Sequence, residues 1–115
     1  MATAKPSLGE VWFVALDPTQ GREQAGTRPA LVVSVDEFNH GPAELALVVP
    51  ITNREKGIAL HVPIEPPEGG WNVRSFAKPE DLRSVSTGRL VKRSGSVAPE
   101  TLEKVRDRLR ILMDL

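Results

Sequence analysis

Ten prolines, spread from Pro6 to Pro99, constrain this 115-residue chain more than any other feature. A proline inside a helix removes a hydrogen-bond donor and clashes with the preceding turn, at a cost of about 3 kcal/mol or more. Nine glycines are scattered among them, so turns recur between short apolar runs and do not collect in one linker. The runs carry β-branched and aromatic residues that suit a pleated, half-buried surface. This pattern predicts a mainly β fold, a small barrel or curled antiparallel sheet, with a C-terminal helix packed on it.

Gly9–Leu16 (GEVWFVAL) has apolar side chains on both alternating faces and predicts a strand buried on both sides. Asp17-Pro18-Thr19 ends it. Pro29 opens a second strand over Ala30–Val35, where its missing N–H does least harm. Asp36–Pro42 reads as a polar connection. Leu45–Ile51 (LALVVPI) predicts a third strand, and its internal proline places that end at an edge or a bulge. Thr52–Gly57 reads as a turn, Ile58–Ile64 as a fourth strand, and Trp71–Phe76 and Leu82–Ser86 as short strands. Leu90–Val97 is ambiguous, with a short edge strand as one reading. The tail is helical. Pro99 fits a first turn, Glu100 and Glu103 suit the positive end of the helix dipole, and Leu102, Val105, Leu109 and Leu112 form one apolar stripe.

The length allows one domain, residues 1–115, with a single modest core. The absence of cysteine excludes disulfides, thiolate metal sites and cysteine nucleophiles. No apolar stretch matches a signal peptide or a membrane span, so a soluble cytoplasmic protein without membrane attachment is expected. Fifteen basic and fifteen acidic residues cancel, and whole-molecule attraction to nucleic acid is not indicated. Between Asn53 and Arg93, however, eight Lys/Arg face five acids, a mild local tilt. His40 and His61 have no ligand-spaced partner, and HxH, HExxH, DxD, GxSxG and GxxxxGK[ST] patterns are absent. Neither a metal nor a cofactor is expected.

What remains is arginine with small polar groups at strand ends. The segment GREQAGTRPALVV, residues 21 to 33, gathers Arg22, Glu23, Gln24 and Arg28 in a Gly-rich bend that runs into the second strand. On these residues alone, Arg28 reads as a structural partner of Glu23 and Thr52 as a turn residue. Lys78 and Arg83 read as solvated strand charges, and Trp12 and Trp71 as core or interface residues before stacking platforms. The same set also suits one kind of chemistry. In RNA the 2′-OH attacks the adjacent phosphorus, and a planar guanidinium fork can stabilise the charge that develops on the phosphate oxygens.

The strings GEVWFVALDPTQGREQAGTRPALVV, then Asn39, VVPIT and EDLRSVSTGRL occur in that order. The chain so resembles the MazF/PemK (Kid) toxins of toxin–antitoxin systems, from Gly9 to the C-terminal helix. The resemblance implies an SH3-like small barrel of the kind shared with CcdB, a homodimer, and a metal-independent endoribonuclease. Such an enzyme cuts single-stranded RNA, typically mRNA, at short sequences and leaves 2′,3′-cyclic phosphate and 5′-OH ends. It also implies inhibition by a cognate antitoxin whose disordered tail wraps the toxin. The family's catalytic arginine, in G-x-R-P, falls on Arg28, and its catalytic threonine, in P-I-T, on Thr52. Glu23 and Gln24 fall in the same site. Lys78 and Glu80 stand where some PemK-like members have Arg-x-Asp, and Glu80-Asp81-Leu82-Arg83 replaces an acid–glutamine pair. Gln24, Lys78, Glu80 and Arg83 are therefore expected to bind substrate. Where some members have a histidine this chain has Arg22, which bears on the identity of the base. Arginine stays protonated far above neutral pH, so Arg28 and Thr52 are expected to stabilise the phosphate, with Glu23 or Glu80 as base. Two alternatives share the fold. A CcdB-like gyrase poison relies on a tryptophan near the chain end, and here the last tryptophan is Trp71. An inactive nucleic-acid-binding module would have no use for Arg28 and Thr52 together.

Overall fold

Alternation of side chains along each apolar run decides how the sheet is built. The computed structural model describes residues 5–15 and 26–115. Among these, β1 (Glu10–Ala15), β2 (Thr27–Val32), β3 (Leu45–Thr52), β4 (Val62–Ile64), β5 (Ser75–Ala77), β6 (Arg83–Ser86) and β7 (Leu90–Ser96) pair antiparallel in a curled sheet. The strand order is β4-β5-β3-β2-β1-β7, and β6 also pairs with β3. Two register shifts between β1 and β7, at Val11/Trp12 and Phe13/Val14, sharpen the curl at that edge. A one-turn helix α1 (Asp36–Asn39), the long helix α2 (Pro99–Met113) and three short 3-10 turns (Glu68–Gly70, Pro79–Asp81 and Thr87–Arg89) complete the described elements.

Successive residues point to opposite faces of a strand, and here both faces are used. On one face Val11, Leu31, Val49, Ile51, Val62, Ile64 and Ala77 surround Val105 of α2, with Leu102 and Leu109 packed against them. On the other, Val14, Ala30, Val32, Ala46, Val48, Val85 and Leu90 form a second cluster beside Trp12. The split runs through single strands: Leu31 faces the helix, whereas Ala30 and Val32 do not. Complete burial of a side chain such as Val105 is worth about 1.5–3 kcal/mol. The predicted helical stripe holds as far as Leu109, but Leu112 is 43% exposed because the last turn runs past the sheet.

Proline behaves differently from the expectation in β3. That strand is flanked on both sides, not at an edge. Its first half, Leu45–Val48, pairs with β6 and its last two residues with β5. Pro50 sits in the gap between these partners, where its carbonyl accepts the Lys78 N–H at 2.9 Å and no donor is required of it. In β2, Pro29 lies inside the strand opposite Phe13 and just before the pairs with β3 begin at Ala30. β2 stops at Val32 because Ser34 turns inward. Its hydroxyl hydrogen-bonds Asn39 and accepts the Leu47 N–H, and Asn39 Nδ2 donates to the Ser34 carbonyl.

Three other boundaries shift. The polar connection after β2 contains α1. Ile58 to Leu60 form a turn closed by the His61 N–H on the Ile58 carbonyl, so β4 begins only at Val62. β5 begins at Ser75, since residues 71–74 follow a turn through Gly70, whose φ is +82°. A Cβ there would lie 2.1 Å from the Ser94 carbonyl oxygen, which is how closely β7 lies on this turn. β7 itself is the edge strand that one reading of Leu90–Val97 anticipated.

Candidate active site

Arg28 reaches the concave face because β2 starts ahead of Pro29. Ala30 pairs with Pro50 and Leu31 with Val49. Carried two residues on, that register sets Arg28 opposite Thr52, and on its other side Arg28 pairs with Val14. Residues directly opposite in an antiparallel pair project to one face. Here that face floors a cleft of about 650 Å³, which Arg28 and Thr52 both line. Val14, Ala30, Val48 and Val85 make the floor apolar.

The walls are polar and cationic. Lys78 and Asp81 come from the segment around a 3-10 turn, Pro79–Asp81, and Arg83 from the start of β6. Lys78 Nζ lies 3.0 Å from Asp81 Oδ2. Among the described residues the cleft thus holds three cations, Arg28, Lys78 and Arg83, and one carboxylate, Asp81. An apolar floor beneath such walls strengthens the field of the cations on an anionic ligand. The Thr52 hydroxyl oxygen accepts the Arg54 N–H at 3.1 Å, which leaves its own proton to donate elsewhere.

Four of the residues expected from sequence therefore converge: Arg28, Thr52, Lys78 and Arg83. Glu80 does not join them. It is absent from the cleft lining, and its Oε2 lies 2.6 Å from His61 Nε2 instead. Glu23 and Gln24, like Arg22, lie outside the described residues. His61, for which no ligand-spaced partner was expected, instead contacts Glu80, and His40 Nε2 is 2.7 Å from the Pro6 carbonyl oxygen. No three His, Asp or Glu side chains of the described residues gather as a metal site, and no described helix is long and apolar enough to cross a membrane.

Sequence reasoning missed several wall residues. Trp71, half-buried, packs on Phe13 with ring centroids 5.7 Å apart and also lines the cleft. Asn53, immediately after Thr52, and Asp81, within the string EDLR, also line it. Their position beside Thr52 and Lys78 was the available signal. Which side of the turn each acid takes is not written in the residue types.

The family described as PemK-like, MazF-like toxin of type II toxin–antitoxin system matches residues 7–113. Endoribonuclease MazF9 of Mycobacterium tuberculosis is 36% identical over 112 residues, covering 93% of this chain and 95% of the relative. Endoribonuclease toxin MazF of Escherichia coli is 33% identical over 109 residues, covering 94% of each. A chain in the crystal structure of MazE–MazF from Deinococcus radiodurans superposes with a TM-score of 0.85 at 26% identity, covering 97% of this chain and 98% of that one.

Proposed function

Since the chain belongs to the PemK-like, MazF-like toxins of type II toxin–antitoxin systems and is an endoribonuclease, we propose that it cuts single-stranded RNA in the Arg28–Thr52 cleft by transesterification, without a metal. The observation that carries this reading is the placement of a guanidinium and a hydroxyl at opposing positions of β2 and β3, on the floor of a cationic cleft. The RNA supplies the nucleophile. Its 2′-oxygen forms a bond to the adjacent phosphorus, its proton passes to a carboxylate, and the P–O5′ bond breaks as the 5′-oxygen takes up a proton. The products are a 2′,3′-cyclic phosphate and a 5′-OH. Arg28 grips two phosphate oxygens with its fork, and Thr52 donates a further hydrogen bond to the charge that develops there. Lys78 and Arg83 hold the flanking backbone. Glu23, which the family pattern places in this site, and Asp81, which lines it, are the carboxylates in question.

A cytoplasmic homodimer held inactive by a cognate antitoxin completes the reading. Exposed Ile111, Leu112, Met113 and Leu115 at the end of α2 offer an apolar surface to a second copy, whereas β3 is enclosed by its neighbours. The deciding experiment incubates purified protein with a long single-stranded RNA in EDTA and maps the new ends. Cleavage at a short recurrent sequence with 5′-OH termini is expected. Loss of cleavage in EDTA, restored by a divalent ion, would replace this mechanism with a metal-assisted one.

A further inference from the structure

Outside the cleft, His61 and Glu80 make a contact that the cleavage chemistry does not use. His61 Nε2 lies 2.6 Å from Glu80 Oε2, with the histidine side chain only 3% exposed. The other ring nitrogen, Nδ1, is sealed in the interior without a hydrogen-bond partner. One nitrogen is therefore committed to Glu80 and the other is out of reach, so the imidazole cannot touch a bound phosphate. The backbone holds the ring in place, since the His61 N–H donates to the Ile58 carbonyl at 3.0 Å.

Glu80 occupies the middle of the 3-10 turn Pro79–Asp81. Lys78, which caps this turn, meets Asp81 at its end at 3.0 Å, and both line the cleft. Glu80 falls between them in sequence and is directed to the far side. The turn's backbone is tied at Lys78, whose N–H donates to Pro50, and within itself by Asp81 N–H to Lys78 and Leu82 N–H to Pro79. The His61–Glu80 bond adds an anchor from the segment before β4.

We propose that Glu80 is a positioning residue: held by His61, it fixes the turn that presents Lys78 and Asp81 to the cleft. It neither binds RNA nor moves a proton. This inference rests on the reading of the cleft as the place where RNA is cut. Its physical basis is that catalytic geometry is steep, and a misplacement of about 1 Å can cost roughly a hundredfold in rate.

Single-turnover cleavage and RNA affinity, with thermal melting as the folding control, test it in Glu80→Ala, Glu80→Gln, His61→Ala and Arg28→Lys. Glu80→Ala and His61→Ala are expected to weaken RNA binding and to slow cleavage by about ten- to hundredfold. Glu80→Gln keeps an oxygen to accept the His61 Nε2–H, so it should recover most of that loss with a pH–rate profile of wild-type shape. The double alanine variant should be no slower than the worse single one, since both break the same tie. Should His61→Ala fail to fold, the two Glu80 variants decide alone. If Glu80→Gln is as slow as Glu80→Ala, with a loss of roughly 10²–10⁴ and a missing limb in the pH profile, Glu80 is a general base and the inference is wrong. Wild-type cleavage by Glu80→Ala beside an impaired Arg28→Lys overturns it while leaving the cleft in place. Wild-type cleavage by both overturns the cleft itself.

Discussion

Arg28 on β2 and Thr52 on β3 stand at opposing positions, two residues beyond the Ala30–Pro50 pair, with both side chains lining the same cleft. The Thr52 hydroxyl already accepts the Arg54 N–H, so its proton is the part left for substrate. Thr52→Val removes that donor at nearly constant volume. One neutral hydrogen bond is worth about 0.5–1.5 kcal/mol, so cleavage should slow by roughly two- to tenfold. Thr52→Ser should stay close to the parent. Single-turnover rates on one RNA distinguish the pair, and a Val variant as fast as wild type would remove Thr52 from the mechanism.

Much of this architecture could be read before any coordinates. β1, β2 and β3 follow from short apolar runs rich in β-branched residues, and α2 from Pro99 and the stripe of Leu102, Val105 and Leu109. The misses have physical causes. α1 is a single turn, too short for any period to register. Ile58 and Leu60 look like strand residues but lie in a turn after Gly57, whose φ is +65°. Pro50 suggested an edge because nothing in LALVVPI reveals that β6 and β5 divide the strand between them. The site was legible only through family motifs. Spacing in sequence does not say that Arg28 and Thr52 face one another, since the β2–β3 register is set by how the chain turns between them. Glu80 shows the same limit, as its partner His61 is 19 residues away.

Acid should loosen the edge of the sheet at Glu10. Burial pushes this carboxyl's pKa up, but the Trp12 indole, the Ser7 N–H and the Arg93 guanidinium all donate to it, and with the charge of Arg93 they hold it below its ordinary value of 4.5. A depressed carboxylate stabilises the fold fully above its unfolded pKa, and that contribution fades as pH falls through the folded value. Wild type should therefore melt higher than Glu10→Gln at pH 7, and the gap should close as the pH drops below the ordinary carboxylate range. A gap that persists unchanged to the lowest pH at which both fold would point to packing as its source.

Self-association should depend on the end of α2. Leu112 is 43% exposed and Ile111 62% exposed in the single chain, although both are large and apolar. Placing a charge there, as Leu112→Glu, costs little in a monomer but buries an unpaired carboxylate at an interface. Sedimentation at micromolar concentration should show a dimer for wild type and a shift toward monomer for the variant. A monomeric and fully active wild type would refute the dimer.

The substrate should matter in two ways. Replacing the 2′-OH of the scissile nucleotide by hydrogen removes the nucleophile, so cleavage at that position should vanish while binding persists. Duplex RNA should resist cutting, because paired bases cannot be splayed out for reading in a cleft. Mapped cleavage of matched single-stranded, duplex and deoxy-substituted oligonucleotides checks both. An unaffected rate on the deoxy substrate would exclude attack by the 2′-oxygen.

The sharpest test falls on Arg28. If this residue serves only to hold its loop in place, Arg28→Lys keeps the charge and most of the activity, and Arg28→Ala chiefly lowers the melting temperature. If it grips the phosphate with a planar fork, lysine cannot stand in, because an ammonium is a point charge without bidentate geometry. Its position opposite Thr52 on the cleft floor favours the second case. Removing one donor aimed at developing charge typically costs about 10²–10³ in rate, or roughly 3–4 kcal/mol. Arg28→Lys should therefore fold and dimerise as wild type does while cutting RNA at least about a hundredfold more slowly. Single-turnover cleavage measured alongside thermal melting separates the two cases. A variant that melts normally and cuts at the wild-type rate would return Arg28 to a structural role and move the phosphate-gripping function to Lys78 or Arg83.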